Sequence, residues 1–514
     1  MNPLANPDVM AQRDREGSGP QTQLAARILA LIVLFSASAI YQSTHLSALA
    51  GSEVWVHLRS GIWILQNHAI PRTGLFSQYS NLAWNDSSWG FDLLLAAAYR
   101  LLGLRAIPIL LMLQKSGVAV ITFLLAYSGR RDFWKAVVLS AVAQYVISGL
   151  QPLPYVLSVL FLAVELQLLL SSSHSGSVRR LYWLLPLFAL WANLHIQFVA
   201  GLALLAVFLI AYLIECWLRS LNARWLRPQL FGLPMMQVST IGALCLLATF
   251  MTPYGFRLLP DFLKSQYSDV AFVHFSGMAS MSFRRPQDYI LMLLVMMAFL
   301  ALGRKRSLEL FELLVLVAGT ALAFRIQRDA WLVVLTAIAV LATTSFSGRH
   351  ESGPQRMTVR TWEWGTVAAA TAIVLAIAAV RLPGRDALMN RIGQNLPVGA
   401  CEYIVSNKLP APLFNEYSWG SFLTWYLPEY PVVVDSRVEV YGNDVLTKYF
   451  DVVGGKERLD SDPMVARAGT LLLERNSAMA KALRNLPALS SQYRLVYSDE
   501  MANIFVPANQ DQNR

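Results

Sequence analysis

Residues 24–61 read LAARILALIVLFSASAIYQSTHLSALAGSEVWVHLRSG, and the break in the middle of this stretch decides the architecture. Residues 24–46 are long and apolar enough to cross a bilayer, which takes roughly 20 such residues. From Ser47 the character changes, and Glu53, Trp55, His57 and Arg59 follow within a few positions. The chain leaves lipid here and runs along the boundary to about Arg105. The rest of the sequence repeats the first half of this pattern. Of 514 residues, 55% are hydrophobic and only 14% charged, with mean hydropathy +0.44. A soluble domain is about a quarter charged, so lipid is the solvent for most of this chain.

The net charge is +10, but Lys and Arg fall in short clusters between apolar runs. That is the pattern of cytoplasmic loops rather than of a nucleic-acid face. Cys216 and Cys245 lie in apolar runs and Cys401 in the polar tail, so neither a disulfide framework nor a CxxC metal site is expected. Residues 1–23 are expected to be a disordered cytoplasmic tail, because no small-residue cleavage site follows the apolar run.

Further apolar runs lie at 106–127, 134–150, 153–171, 182–195, 198–218, 231–251, 288–303, 307–324, 329–346 and 363–381. They predict a polytopic α-helical membrane protein of about eleven spans. With the N-terminus inside, one alternation gives cytoplasmic loops every basic cluster. These are Arg130, Arg131 and Lys135; Arg179 and Arg180; Arg219, Arg224 and Arg227; Arg304, Lys305 and Arg306; and Arg349, Arg356 and Arg360. The same alternation puts the first outer loop (47–105), the 253–287 loop, the Arg325/Arg328 turn and residues 382–514 outside. The membrane module is thus 24–381. The tail is expected to be a small α/β domain, with strands at 431–435 (PVVVD), 470–474, 494–497 and 503–506 and helices at 418–427 and 477–486. Gly454-Gly455-Lys456 lacks the spacing of a phosphate loop.

Chemistry concentrates in the first outer loop. Glu53, His57, Arg59, Asp86 and Asp92 occur there beside Trp55, Trp84 and Trp89. A boundary carboxylate such as Glu53 can take a proton from an acceptor hydroxyl. The tryptophans can stack on sugars or form an interfacial belt. Asn193, His195 and Gln197 mark an outer turn that either lines a polar cavity or caps two helices. Arg325 and Arg328, three apart, would share a helical face suited to a lipid phosphate, or else pair with Asp329. Thr252-Pro253-Tyr254-Gly255 most simply ends a span. Asn415-Glu416-Tyr417 and Asp435-Ser436-Arg437 read as strand-end and helix-cap residues.

The run Glu53-x-Trp55-x-His57-Leu58-x-x-Gly61, then Ile70-Pro71-Arg72, Phe76-Ser77 and Trp84…Trp89…Asp92, resembles the first outer loop of bacterial GT-C membrane glycosyltransferases. Asn193-Leu194-His195, Pro253-Tyr254-Gly255, Phe414–Gly420 and Val434–Arg437…Tyr441-Gly442 follow in the order found in a mostly uncharacterised bacterial subgroup. The resemblance implies transfer of a sugar from a polyprenyl-phosphate donor to a glycan, lipid or protein acceptor at the outer face of the bacterial inner membrane. Glu53 takes the role of general base, where the family usually carries the shorter Asp. Asp86 or Asp92 orients the acceptor or holds a divalent metal such as Mg or Mn, and His57 belongs to the same catalytic group. Trp55, Arg59, His195, Gln197, Arg325 and Arg328 are the positions for substrate and lipid phosphate. At Gln151-Pro152 relatives often carry Arg before Pro, so one positive charge is missing from an outer turn.

Two other classes compete. A lipid-glycan transporter or flippase would show internal repeats and mid-span charges, for which Lys115 and Glu165 are the candidates. A non-catalytic scaffold would pair its first-loop acids internally. If Glu53, Asp86 or Asp92, His195 and the two arginines meet in one outward cavity, the enzyme reading is favoured.

Overall fold

The computed structural model describes residues 20–508 except 46–48, 50–52, 130, 150, 222–229, 261, 263–268, 275–276, 306–308, 345–359, 457–458 and 460–461. Residues 1–19 and the loop arginines Arg130, Arg224, Arg227, Arg306, Arg349 and Arg356 lie outside the described set.

Each of the apolar runs named above holds a helix. Among the described residues, six helices are long and apolar enough to cross a membrane: Gln21–Tyr41, Trp89–Ser128, Tyr155–Ser175, Phe198–Ser220, Pro286–Gly303 and Thr361–Val380. Several runs expected to span are shorter helices, among them Phe133–Val146, Leu184–Leu194, Met235–Ala248 and Ala330–Thr343. Fourteen helical residues rise about 21 Å, short of a ~30 Å hydrocarbon core. Ala330–Thr343 has its side chains from Val333 to Ala342 buried, so it packs against protein rather than lipid.

Its two ends differ in chemistry. At its C-terminus Lys135 donates to the carbonyls of Leu341 and Thr344, and Lys305 bonds Glu309, Glu312 and Thr343. These cations clasp helix ends rather than standing free in loops. Asp329, at the N-terminus, accepts from Gln197.

The first outer loop is more ordered than its polarity suggests. It contains the helices Glu53–Asn67 and Trp89–Leu102. A 3₁₀ turn joins the second to Ala106–Ser128, so residues 89–105, expected to lie outside lipid, continue into an apolar helical run of 40 residues. The two loop helices touch at Gly61, where an added Cβ would sit 1.9 Å from the Asp92 carbonyl oxygen. Only glycine allows that approach.

The tail is a four-stranded sheet in the order β1-β2-β4-β3, with β1 Leu413–Asn415, β2 Thr470–Glu474, β3 Tyr493–Ser498 and β4 Ala502–Pro507. β1 runs parallel to β2; β4 is antiparallel to both of its neighbours. The crossover from β1 to β2 carries the helices Gly420–Tyr426 and Val438–Val453. Gly454 and Gly455 end the latter, and Lys456 pairs with Asp451.

Residues 431–435, expected as a strand, are not one. Val432 makes single parallel bridges to Leu413 and Ser77 and is otherwise irregular. Its backbone donates to Phe76 O and accepts from Gln78 N, while Asn415 Oδ1 takes the Val433 N–H. Val432, Val433, Val434 and Asp435 are fully buried, which explains the valines. Its hydrogen bonds are shared between the sheet and the first outer loop.

The two parts also share a core. Leu49, Trp55, Leu58 and Phe91 from the loop pack in one apolar cluster with Leu388, Phe422, Leu423 and Leu472 from the tail. Trp55 is fully buried, 5.5 Å from the ring of Phe422 and 4.5 Å from that of Trp425.

Candidate functional site

One cavity of about 500 Å³ opens where the first loop, the membrane bundle and the tail meet. The loop contributes Glu53, His57, Trp84, Asp86 and Asp92; the bundle His195, Gln197 and Arg328; the tail Tyr417, Ser418, Ser436, Arg437 and Glu439.

Local structure accounts for each placement. Glu53 opens its helix and is exposed, and His57 lies one turn later on the same face. The Gly61 contact brings the neighbouring helix close, so that His57 Nδ1 is 2.7 Å from Asp92 Oδ1. Asp86 accepts from the backbone of Ser88 and is buried. Asp86 and Asp92 each leave Oδ2 buried without a hydrogen-bond partner. Burial, and then the neighbouring Asp92, push the Asp86 carboxyl well above the usual carboxylate range. Burial holds the His57 imidazolium below its ordinary value, against the pull of Asp86 and Glu53. Two adjacent buried carboxyls need a proton or a cation between them. Among the described residues no three His, Cys, Asp or Glu side chains form a metal-ligand group.

His195 ends the Leu184–Leu194 helix, and its Nδ1 lies 2.8 Å from Ser158 Oγ, which also accepts from Trp191. Gln197 donates to Asp329 at 3.2 Å. The turn therefore both caps helices and lines the cavity. Trp89 donates to Asn193, and Tyr254 donates to the carbonyl of Pro71 at 2.7 Å. Motif pieces far apart in sequence thus brace one another around the site.

Four expected placements are corrected. Trp55 cannot stack on a sugar, because it is sealed between loop and tail. Arg59 lies 5.0 Å over the Phe76 ring and is not in the cavity wall. Arg325 and Arg328 do not share a helical face: Ile326 is extended (φ −131, ψ 107), which breaks the register and turns only Arg328 to the cavity, leaving Arg325 exposed outside it. The tail residues Tyr417, Ser436 and Arg437 are more than caps, since they form one wall. Sequence reasoning gave that wall only a capping role and missed Glu439; the available signal was the alternating charge of Asp435, Arg437 and Glu439.

No family model matches the chain, and no curated protein matches it in sequence. Among solved structures, archaeal oligosaccharyltransferase AglB from Archaeoglobus fulgidus, in complex with an inhibitory peptide and a dolichol-phosphate, is similar with a TM-score of 0.53. The identity is 11%, over 95% of this chain and 74% of that one. AglB belongs to the GT-C superfamily. The chain shares the fold of that oligosaccharyltransferase. A second structure of the Archaeoglobus fulgidus oligosaccharyltransferase, tethered to an acceptor peptide containing the NVT sequon, covers 94% of this chain and 74% of its own at 11% identity and a TM-score of 0.49. In this chain the cavity lies between the helical module and the C-terminal sheet domain.

Proposed function

We propose that the chain is a membrane glycosyltransferase that moves a sugar from a polyprenyl-phosphate-linked donor to a glycan, lipid or protein acceptor. The supporting observation is that Glu53, His57, Asp86, Asp92, His195, Gln197 and Arg328 line one cavity. In this reading the cavity faces the outer side of a bacterial cytoplasmic membrane, with the N-terminus inside and the C-terminal domain outside, as the charge alternation suggests.

Glu53 acts as general base, taking the acceptor proton as the hydroxyl attacks the anomeric carbon. It is an exposed carboxylate on the cavity wall, on the loop side opposite the exposed Glu439 of the tail. Asp92 orients His57 through the 2.7 Å contact, and the pair positions the acceptor. Arg328 faces the donor phosphate as negative charge develops on it. A divalent cation, Mg²⁺ or Mn²⁺, would be held by the unpartnered oxygens of Asp86 and Asp92 and would neutralise the departing phosphate.

The test is Glu53→Gln in a reconstituted transfer assay with a polyprenyl-phosphate sugar. Transfer should fall by about 10²–10⁴, the usual worth of a positioned base, with the thermal midpoint unchanged. Turnover at the wild-type rate would refute the assignment.

A further inference from the structure

Arg437 is a tightly built cation of the tail. Its side chain is 3% exposed, and Asp435 grips it on two sides, Nε to Oδ1 at 2.9 Å and Nη2 to Oδ2 at 2.6 Å. Nη2 also donates to the Leu75 carbonyl of the first loop at 2.7 Å. The guanidinium lies 4.6 Å from the Trp84 ring centroid and 5.4 Å from that of Phe76. Every atom of the group is thus positioned, yet Nη1 is buried with no hydrogen-bond partner. Arg437 lines the cavity that holds Asp86 and Asp92, and its charge is felt at His57.

A buried guanidinium nitrogen without an acceptor is costly, because its lost hydration is not replaced. Here the neighbours fix the fork so that Nε and Nη2 are spent on Asp435 and Leu75, and the two N–H groups of Nη1 are left over. A preorganised N–H pair of this kind suits an oxyanion entering the cavity. Arg328 brings a second guanidinium to the same cavity from the membrane module. Two guanidiniums from separate parts of the chain match an anion with several oxygens, as a phosphate has, better than a carboxylate.

We propose that Arg437 Nη1 is the C-terminal domain's receptor for the phosphate oxygens of a lipid-linked substrate, so that the domain completes the binding site. This rests on the glycosyltransferase reading for the identity of the lipid.

The experiment uses the full chain in nanodiscs and measures binding of a short polyprenyl phosphate, the matching polyprenol and inorganic phosphate. Wild type should bind the polyprenyl phosphate at least tenfold tighter than the polyprenol. Arg437→Lys, which keeps the charge beside Asp435 but loses the fork, should reduce that preference about tenfold with the polyprenol unaffected. An unchanged preference in a folded Arg437→Lys protein overturns the Arg437 assignment alone. A wild type that ignores the lipid phosphate overturns the donor reading with it, and equal binding of inorganic phosphate reassigns the site to a free anion and overturns the lipid-linked proposal. Hydrogen exchange on the wild type covers the case of a misfolded variant. Segment 432–441 should gain protection with polyprenyl phosphate and not with polyprenol, and no gain refutes the proposal.

Discussion

Asp435 in the tail and the pair Asp86 and Asp92 in the first loop are all buried carboxylates beside one cavity, and they are solved in opposite ways. Asp435 is closed: both oxygens meet the Arg437 guanidinium, and Oδ1 also takes the Arg437 backbone N–H. Asp86 and Asp92 are open, each with Oδ2 buried and unpartnered. Satisfaction, not burial, separates an acid that holds a fold from one kept ready for a proton, a cation or a substrate. Asp435 keeps Arg437 in place; the loop pair spends its Oδ1 atoms on Ser88 and His57 and leaves its Oδ2 atoms without a hydrogen-bond partner.

The comparison is broken most severely at the closed site. Asp435→Asn leaves the Arg437 charge buried without its counter-ion and should lower stability by about 3–5 kcal/mol. A fall in the thermal midpoint of detergent-solubilised protein measures this, and an unchanged midpoint would mean that the pair is dispensable. A smaller loss is expected at the contact that sets the open site. Gly61→Ala puts a methyl group against the Asp92 carbonyl and should cost about 1–3 kcal/mol as the two loop helices move apart. Transfer should fall further than the stability loss explains, because His57 leaves Asp92.

The smallest stability effect belongs to Asp86→Asn, within about 1 kcal/mol at acid pH, where both side chains are neutral. The difference then grows with pH in a defined direction. The folded carboxyl of Asp86 titrates above its unfolded value of about 3.9, so wild type loses stability as pH rises from about 4 through the raised folded value. Asp86→Asn lacks this loss. Midpoints of the two proteins should diverge in favour of the variant on raising the pH, and parallel curves would contradict the raised value. Transfer by the variant should still be impaired, which separates the open acid's role from stability.

Much of this arrangement was readable in advance. Long apolar runs announce helices because 3.6-residue periodicity and lipid impose the same residues, and each run does hold one. Thr470–Glu474 was legible as a strand because its first four residues are buried in the middle of the sheet. Segment 431–435 misled because valines report burial, not pairing. β1, at three residues, is too short to leave a pattern. Trp55 misled because an indole that meets Phe422 and Trp425 has the same composition as one that meets a sugar. The candidate acids were visible as a cluster, but which of them would be closed depended on Arg437. Its pairing with Asp435 is local, while its place beside Trp84 and Leu75 is set by tertiary structure.

The bonds between loop and tail also set an order in time. Trp84 donates to Glu439 across 355 positions, and Arg437 reaches Leu75 across 362. Synthesis runs from the N-terminus, so the loop acids emerge and the helices enter the bilayer long before their opposite wall exists. During that interval the cavity is an open shelf with no far side. The cavity gains its far wall only when the segment from Tyr417 to Glu439 docks against the loop, so its closure is an event of tertiary assembly rather than of membrane insertion.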